Sequence, residues 1–109
     1  MSLYADYLSE RTTDLIIESD YGFATYRYLE GGVVYIVDLF VIPEVRKHGH
    51  AAGMADFIVK QAKMLGCTEL IGTVVPSTKG ANASMRVLLA YSMTVKTASH
   101  DLIVFRKEI

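Results

Sequence analysis

Apolar positions change their spacing near residue 51, and the change separates a strand-forming half of the chain from a helix that follows it. In residues 14–19, DLIIES, a compact apolar run ends at SDYG, which carries the Asp and Gly that turns use. Residues 23–30, FATYRYLE, are rich in aromatic and β-branched side chains, GG follows, and residues 33–42, VVYIVDLFVI, are apolar nearly throughout. The pattern predicts a strand, a turn, and then a hairpin whose second strand is buried on both faces. Ahead of these, YADYL predicts one short helical turn or an arm.

From Ala51 to Leu65 the period lengthens. Met54, Phe57 or Ile58, Ala62 and Leu65 fall on one stripe and Asp56, Lys60 and Lys63 on the other, so the spacing predicts an amphipathic helix ended by Gly66. Residues 68–75, TELIGTVV, read as a strand that stops at Pro76. Strand, helix and strand in that order give a right-handed crossover between parallel neighbours. After the polar loop STKGAN, the segment ASMRVLLAY has helical composition, and MTVKTA and DLIVFRKE flank an SH turn as a terminal hairpin. The expected fold is α/β of the α+β kind: a mixed, mostly antiparallel sheet with a central parallel strand pair and two packed helices, built by residues 1–109 as a single domain.

Composition narrows the partners. With 109 residues and 51% hydrophobic content the chain can bury one core. A net charge of -1, from 11 basic and 12 acidic residues, leaves no broad field for nucleic acid or an anionic membrane, so any anion has to be bound locally. The longest apolar stretch is interrupted by Asp38 and ends at Pro43, short of the ~20 residues of a membrane helix. The first residues lack a basic region followed by an apolar one, and a cytoplasmic setting is expected. The single Cys67 has no internal disulfide partner and no activating base near it in sequence, so it reads as a small buried residue.

The candidate chemistry lies in residues 41–51, VIPEVRKHGHA, where a strand hands over to a helix. Such a junction presents unpaired backbone N–H groups, and the helix dipole adds partial positive charge, which makes it an anion site. Gly49 and Ala51 would let a phosphate approach the backbone. Neither the Walker pattern nor the dinucleotide fingerprint is present, which weakens a nucleotide-binding module as a reading. His48 and His50 are joined by no Cys or carboxylate cluster at metal-ligand spacing, so no metal is expected.

The pattern V-x-P-x-x-R-x-x-G-x-A, spelled VIPEVRKHGHA with AKMLGCTELIGTVV behind it, resembles the GNAT superfamily of acyl-CoA N-acyltransferases. By order of elements the resemblance covers residues 22–107, and it is sharpest from 39 to 75. It implies acetyl-CoA as acyl donor, with the backbone amides of Arg46, Lys47, His48, Gly49, His50 and Ala51 on the pyrophosphate and those of Phe40 and Val41 along the pantetheine arm. Asn82 opens the family's second-helix pattern and joins the implied coenzyme-binding set. That pattern is only echoed by NASMRVLLAYSM: Leu89 stands where the family has tyrosine, and Ser92 and Met93 replace Gly-Phe.

Two side chains carry the implied catalysis. Asp38 interrupts the most apolar strand, where a charge is costly unless paired or exposed in a cleft. By resemblance it is the base that deprotonates the acceptor amine; on its residues alone it could equally make a structural hydrogen bond to Arg27, Tyr26 or a neighbouring strand. Tyr91, near the end of the second helix, is by resemblance the acid for the departing thiolate, with core packing as the alternative. About a dozen residues precede the first clear strand, where the family carries a strand and one or two helices that build the acceptor site. The acceptor side is therefore reduced, or completed by a second subunit in a homodimer, for which the terminal hairpin is the candidate surface. The expected activity is N-acetyl transfer from acetyl-CoA to an amine, on a small molecule or a protein, by direct attack. The rival reading is a non-catalytic GNAT-like coenzyme-binding or assembly module of a larger complex.

Overall fold

The computed structural model describes Leu3 and residues 14–109, so the YADYL segment lies outside the described residues. Strands β1 (Leu15–Ser19), β2 (Gly22–Leu29), β3 (Val33–Val41), β4 (Glu69–Val74), β5 (Thr94–Ser99) and β6 (Leu102–Glu108) are joined by helices α1 (His50–Met64) and α2 (Ala81–Ala90). One sheet takes the strands in the order β1-β2-β3-β4-β6-β5. β3 and β4 are parallel and every other pair is antiparallel, as the strand-helix-strand order predicts.

Both helices pack on one face of the sheet. Ile58 and Ala62 of α1 are fully buried in a cluster with Ala24, Val34, Leu70 and Phe105. A Cβ placed on Gly72 of β4 would stand 3.2 Å from Leu88 Cδ2 of α2, so the missing side chain is what lets α2 approach the strand. Among the described residues no helix covers the other, open face, which carries Arg27, Tyr35, Thr73 and Arg106. There Glu69 receives both Arg106 Nε at 2.5 Å and Lys96 Nζ at 3.0 Å. These bonds hold its carboxyl below the usual range, Arg106 first and Lys96 second.

The helices end by the same device with different residues. After α1, Gly66 N bonds Lys63 O and Cys67 N bonds Ala62 O, each at 2.9–3.0 Å, with Gly66 in the left-handed region. After α2, Ser92 N bonds Leu89 O and Met93 N bonds Leu88 O, and Ser92 takes the left-handed conformation at φ 66°. Ser92 and Met93 thus do the work of the Gly-Phe that the family pattern calls for, since Met93 is buried to 2% exposure.

β3 corrects one expectation. It is not buried on both faces: Asp38 and Phe40 are exposed. The cause is an extra residue. Tyr26 of β2 lies opposite Ile36 and Thr25 lies opposite Asp38, so Val37 has no partner and forms a β-bulge. Val34 and Ile36 belong to the helix face, and by strict alternation Asp38 would follow them. The bulge advances the alternation by one, sending Leu39 and Val41 to the core and Asp38 and Phe40 outward.

The terminal hairpin forms as expected, and β5 is an edge strand exposed along its whole length. Its register breaks between Val95 and Thr97, at Lys96.

Candidate active site

The parallel pair opens into a fork. β3 and β4 are paired only from Val33↔Glu69 to Ile36↔Gly72, whereas β3 runs on to Val41 and β4 to Val74. Beyond the last pair, backbone groups of residues 37–41 that face β4 have no ladder partner there. The Tyr35 hydroxyl and Thr73 Oγ1 are hydrogen-bonded at 2.9 Å across the two strands on the open face, at the base of the fork. Asp38 and Phe40 sit on the free arm of β3, on that same face.

Both helices begin beside the fork, because α1 follows the free end of β3 and α2 follows that of β4. Their N-caps, Gly49 and Gly80, are left-handed at φ 84° and 85°, and neither helix has a side-chain cap or an acidic residue in its first turn. The first backbone bond of α1 runs from Gly53 N to Gly49 O at 2.9 Å. The amides of His50, Ala51 and Ala52 before it are left to whatever the helix end faces. A conformation at φ 84° is open to glycine and strained for a residue with a Cβ, which accounts for Gly49 without any appeal to crowding: a Cβ there would meet nothing within 4 Å.

The loop between β3 and α1 folds back on its own strand. Pro43–Val45 form one 3-10 turn, and Arg46 Nε then donates to Val41 O at 2.9 Å while its guanidinium lies 5.7 Å from the Phe40 ring centre. Arg46, Phe40 and Val41 are thereby brought together at the tip of the free arm. Arg46, Lys47, His48 and Gly49 are exposed, and His50 and Ala51 are half-buried. Asn82, exposed in the first turn of α2, lies at the same end of the sheet.

Among the described residues Asp38 makes no side-chain hydrogen bond to Arg27, to Tyr26 or to a neighbouring strand. Arg27 is engaged by Asp14, with Nε to Oδ1 at 2.6 Å and Nη2 to Oδ2 at 3.1 Å, and Tyr26 lies opposite Ile36. The exposed carboxylate of Asp38 stands beside the fork, with buried Thr25 as its cross-strand neighbour.

Tyr91 is placed elsewhere. It is the C-cap of α2, its backbone oxygen accepts Lys107 Nζ at 3.2 Å, and Lys107 is the register partner of Leu70. This is the level of Leu70, whereas the fork opens beyond Gly72. The Tyr91 hydroxyl donates to Asp56 Oδ1 on α1 at 2.6 Å, and burial first, then that bond, push its pKa well above the usual tyrosine value. The structure therefore gathers Asp38, Phe40, Val41, the 46–51 loop and Asn82 at one end of the sheet and leaves Tyr91 behind the fork. Sequence reasoning missed the Tyr35–Thr73 pair and the role of Asp56, because neither follows from spacing within one element.

No group of three or more His, Cys, Asp or Glu gathers in metal-binding proximity among the described residues, and no described helix is long and apolar enough to cross a membrane.

Comparison with known proteins supplies a context for the fork. The sequence model of the acetyltransferase (GNAT) family matches residues 4–87. Among solved structures, one from Desulfovibrio desulfuricans described as of the GNAT family superposes with a TM-score of 0.78 at 16% identity, covering 94% of this chain and 74% of that one. PaiA N-acetyltransferase from Thermoplasma acidophilum, in complex with coenzyme A, gives 0.76 at 13% identity over 95% of this chain and 66% of that one. NAA60 from Arabidopsis thaliana, in complex with acetyl-CoA, gives 0.65 at 23% identity over 81% and 65%. The chain thus spans about two thirds to three quarters of the length of these structures. A search of curated proteins gives no match.

Proposed function

Because the chain belongs to the GNAT acetyltransferase family, we propose that it transfers an acetyl group from acetyl-CoA to an amine by direct attack, in the fork between β3 and β4. The observation that carries this reading is the early end of the parallel ladder, flanked by a glycine-capped helix start whose first amides have no side-chain cap among the described residues. In this reading the pantetheine arm lies along the free arm of β3 at Phe40 and Val41. The pyrophosphate is held by the amides of residues 46–51 and by the positive end of α1. Asn82 contributes from the start of α2.

The amine enters from the open face, where Asp38 stands. Its nitrogen attacks the thioester carbonyl carbon, and backbone N–H groups freed by the bulge and the fork stabilise the developing oxyanion. The C–N bond forms and the C–S bond breaks. Asp38 takes the proton lost by the amine, directly or through one water, and the coenzyme leaves as a thiolate that is protonated from water. Tyr91, held on Asp56, ties the two helices together in this scheme. Most of the acceleration comes from positioning two reactants at one opening rather than from covalent chemistry by the protein.

Leu89 at the family's tyrosine position and Tyr91 behind the fork favour, as a second reading, a module that binds the coenzyme without transfer. One experiment addresses both. At ~100 times its dissociation constant acetyl-CoA stabilises the native state by about 2.7 kcal/mol, visible as a rise in melting temperature. A rise with acetyl-CoA and none with ATP is expected; the reverse overturns coenzyme binding. Free thiol released on adding small amines or peptides then identifies the transferase, and binding without release identifies the module.

A further inference from the structure

Side chains cross the open face in rows that run from strand to strand. One row carries Arg27, Tyr35 and Arg106, since Tyr35 pairs with Arg27 and with Ile71, and Ile71 pairs with Arg106. Both of its cations are bonded to carboxylates, Arg27 to Asp14 and Arg106 to Glu69. The next row holds Asp38 and Thr73 at the opening of the fork. One row further on, at the tips of the two arms, the side chains turn apolar. Phe40 stands there with its partner Phe23 on the β3 side. On the β4 side stand Val75 and Leu102: they flank the core pair Val74↔Ile103, and so turn away from the core.

These tips are open to solvent. Phe40, Val75 and Leu102 are 41%, 41% and 38% exposed, three large hydrophobic side chains at one end of one face. Both walls are held in place. The Phe23 and Phe40 rings pack with centroids 5.8 Å apart. Asp101, next to Leu102, accepts the Ser77 backbone N–H at 2.9 Å and the Ser77 hydroxyl at 2.6 Å, which ties the β5–β6 turn to the β4–α2 loop. Clustered apolar surface of this kind, rimmed by polar groups, marks a place where a ligand is covered.

Resting on the function proposed above, we propose that the acceptor is an amine joined through a short carbon linker to an aryl or branched alkyl group, and that Phe40, Val75 and Leu102 set this preference. At neutral pH an amine arrives as an ammonium ion, which the Asp38 carboxylate attracts before taking its proton. Neighbouring rows on one face are two residues apart, about 7 Å at 3.3 Å per residue. With the nitrogen beside Asp38, the part of the acceptor that lies 7 Å toward the tips meets carbon on either side. A hydroxyl or a second charge at that distance would be desolvated against those walls, whereas a ring gains from leaving water. In the opposite direction the acceptor would meet the arginine row, so its apolar part points to the tips.

Acetyl transfer to 2-phenylethylamine and to ethanolamine, together with calorimetric titration of the coenzyme A-loaded protein by each amine, tests the assignment in the wild type, Val75→Thr and Leu102→Ser. Both positions are at the surface, and a melting curve of each variant verifies that it folds. The wild type is expected to favour 2-phenylethylamine by about tenfold or more in kcat/KM, the discrimination an apolar site gains from a methylene or two. Each substitution should lower kcat/KM for 2-phenylethylamine by about three- to tenfold and leave ethanolamine and the affinity for acetyl-CoA nearly unchanged. Two peptides that differ only in beginning with Phe or with Ser identify the source of the amine: a Phe peptide used better than 2-phenylethylamine assigns the site to a chain terminus, and the reverse order assigns it to a free amine. Equal use of the two free amines, a preference for ethanolamine, or a preference for 2-phenylethylamine that both variants keep overturns the assignment and leaves the transferase reading standing. Tighter binding of 2-phenylethylamine that the variants weaken, with no transfer to any of the four compounds, keeps the apolar acceptor site and overturns the transferase reading. A wild type that neither binds nor acetylates any of them overturns the assignment.

Discussion

The Tyr91 hydroxyl donates to Asp56 Oδ1 at 2.6 Å and so links the end of α2 to the middle of α1. Lys107 adds to the same anchor, with Nζ 4.3 Å from the centre of the Tyr91 ring. Because burial and Asp56 raise its pKa in the folded state, Tyr91 keeps its proton where an unfolded tyrosine loses it. Between the unfolded value near 10 and the higher folded one, the unfolded chain binds fewer protons, so this contribution to stability is full below about pH 9 and falls as pH rises. Tyr91→Phe is expected to lower stability by about 1 kcal/mol at pH 7, the worth of one hydrogen bond. The gap between wild type and variant should narrow above pH 10. Urea unfolding of both proteins from pH 7 to 11 checks it, and a gap that stays constant would contradict the assignment.

Asp38 is expected to matter for turnover and hardly at all for stability. It is exposed and makes none of the three structural bonds considered for it among the described residues, so Asp38→Asn should leave the melting curve within about 0.5 kcal/mol of wild type, as for other surface changes. Acetyl transfer should drop by something like 10²-fold, with the affinity for acetyl-CoA within a few fold. Steady-state kinetics beside calorimetric titration separates the two effects. Transfer at the wild-type rate would remove Asp38 as the base.

Two left-handed positions make opposite predictions. Gly49 at φ 84° starts α1, and Ser92 at φ 66° closes α2. A Cβ in that region costs roughly 1–2 kcal/mol, partly offset by the freedom glycine has in the unfolded chain. Ser92→Gly should therefore stabilise by about 0.5–1 kcal/mol, and Gly49→Ala should destabilise by a similar amount. Thermal melts of the two variants without ligand are sufficient to check both signs.

The order and type of the elements were legible because their periods differ. Alternating and continuous apolar runs mark the strands, and the stripe marks α1: Met54, Ile58 and Ala62 are buried, whereas Leu65, placed on the same stripe, is exposed just past the helix end. The loop of residues 46–51 was legible because Pro43 and Gly49 punctuate it in sequence. The face of Asp38 was not, since Val37 looks like any other apolar residue of its strand and a bulge is set by the pairing with β2. The surroundings of Tyr91 were not legible for a related reason. Its two-residue offset from the family's tyrosine position is small along the chain, yet at a helix end it moves the side chain to a different partner, Asp56. Neither the Tyr35–Thr73 bond nor the Tyr21–His50 stack is visible in spacing, because each joins elements far apart in the chain.

The bulge at Val37 also bears on how such a chain can change over generations. Substituting Val37 by another apolar residue leaves the pleat in phase, so most point mutations at that codon should pass unnoticed. Losing the codon is a different event: Asp38 and Phe40 would turn toward the helices, and Leu39 and Val41 would turn away from them. A three-nucleotide deletion would exchange the inner and outer faces of one arm of the fork at a stroke. The length of this strand is therefore under tighter constraint than the identity of the residue that sets it.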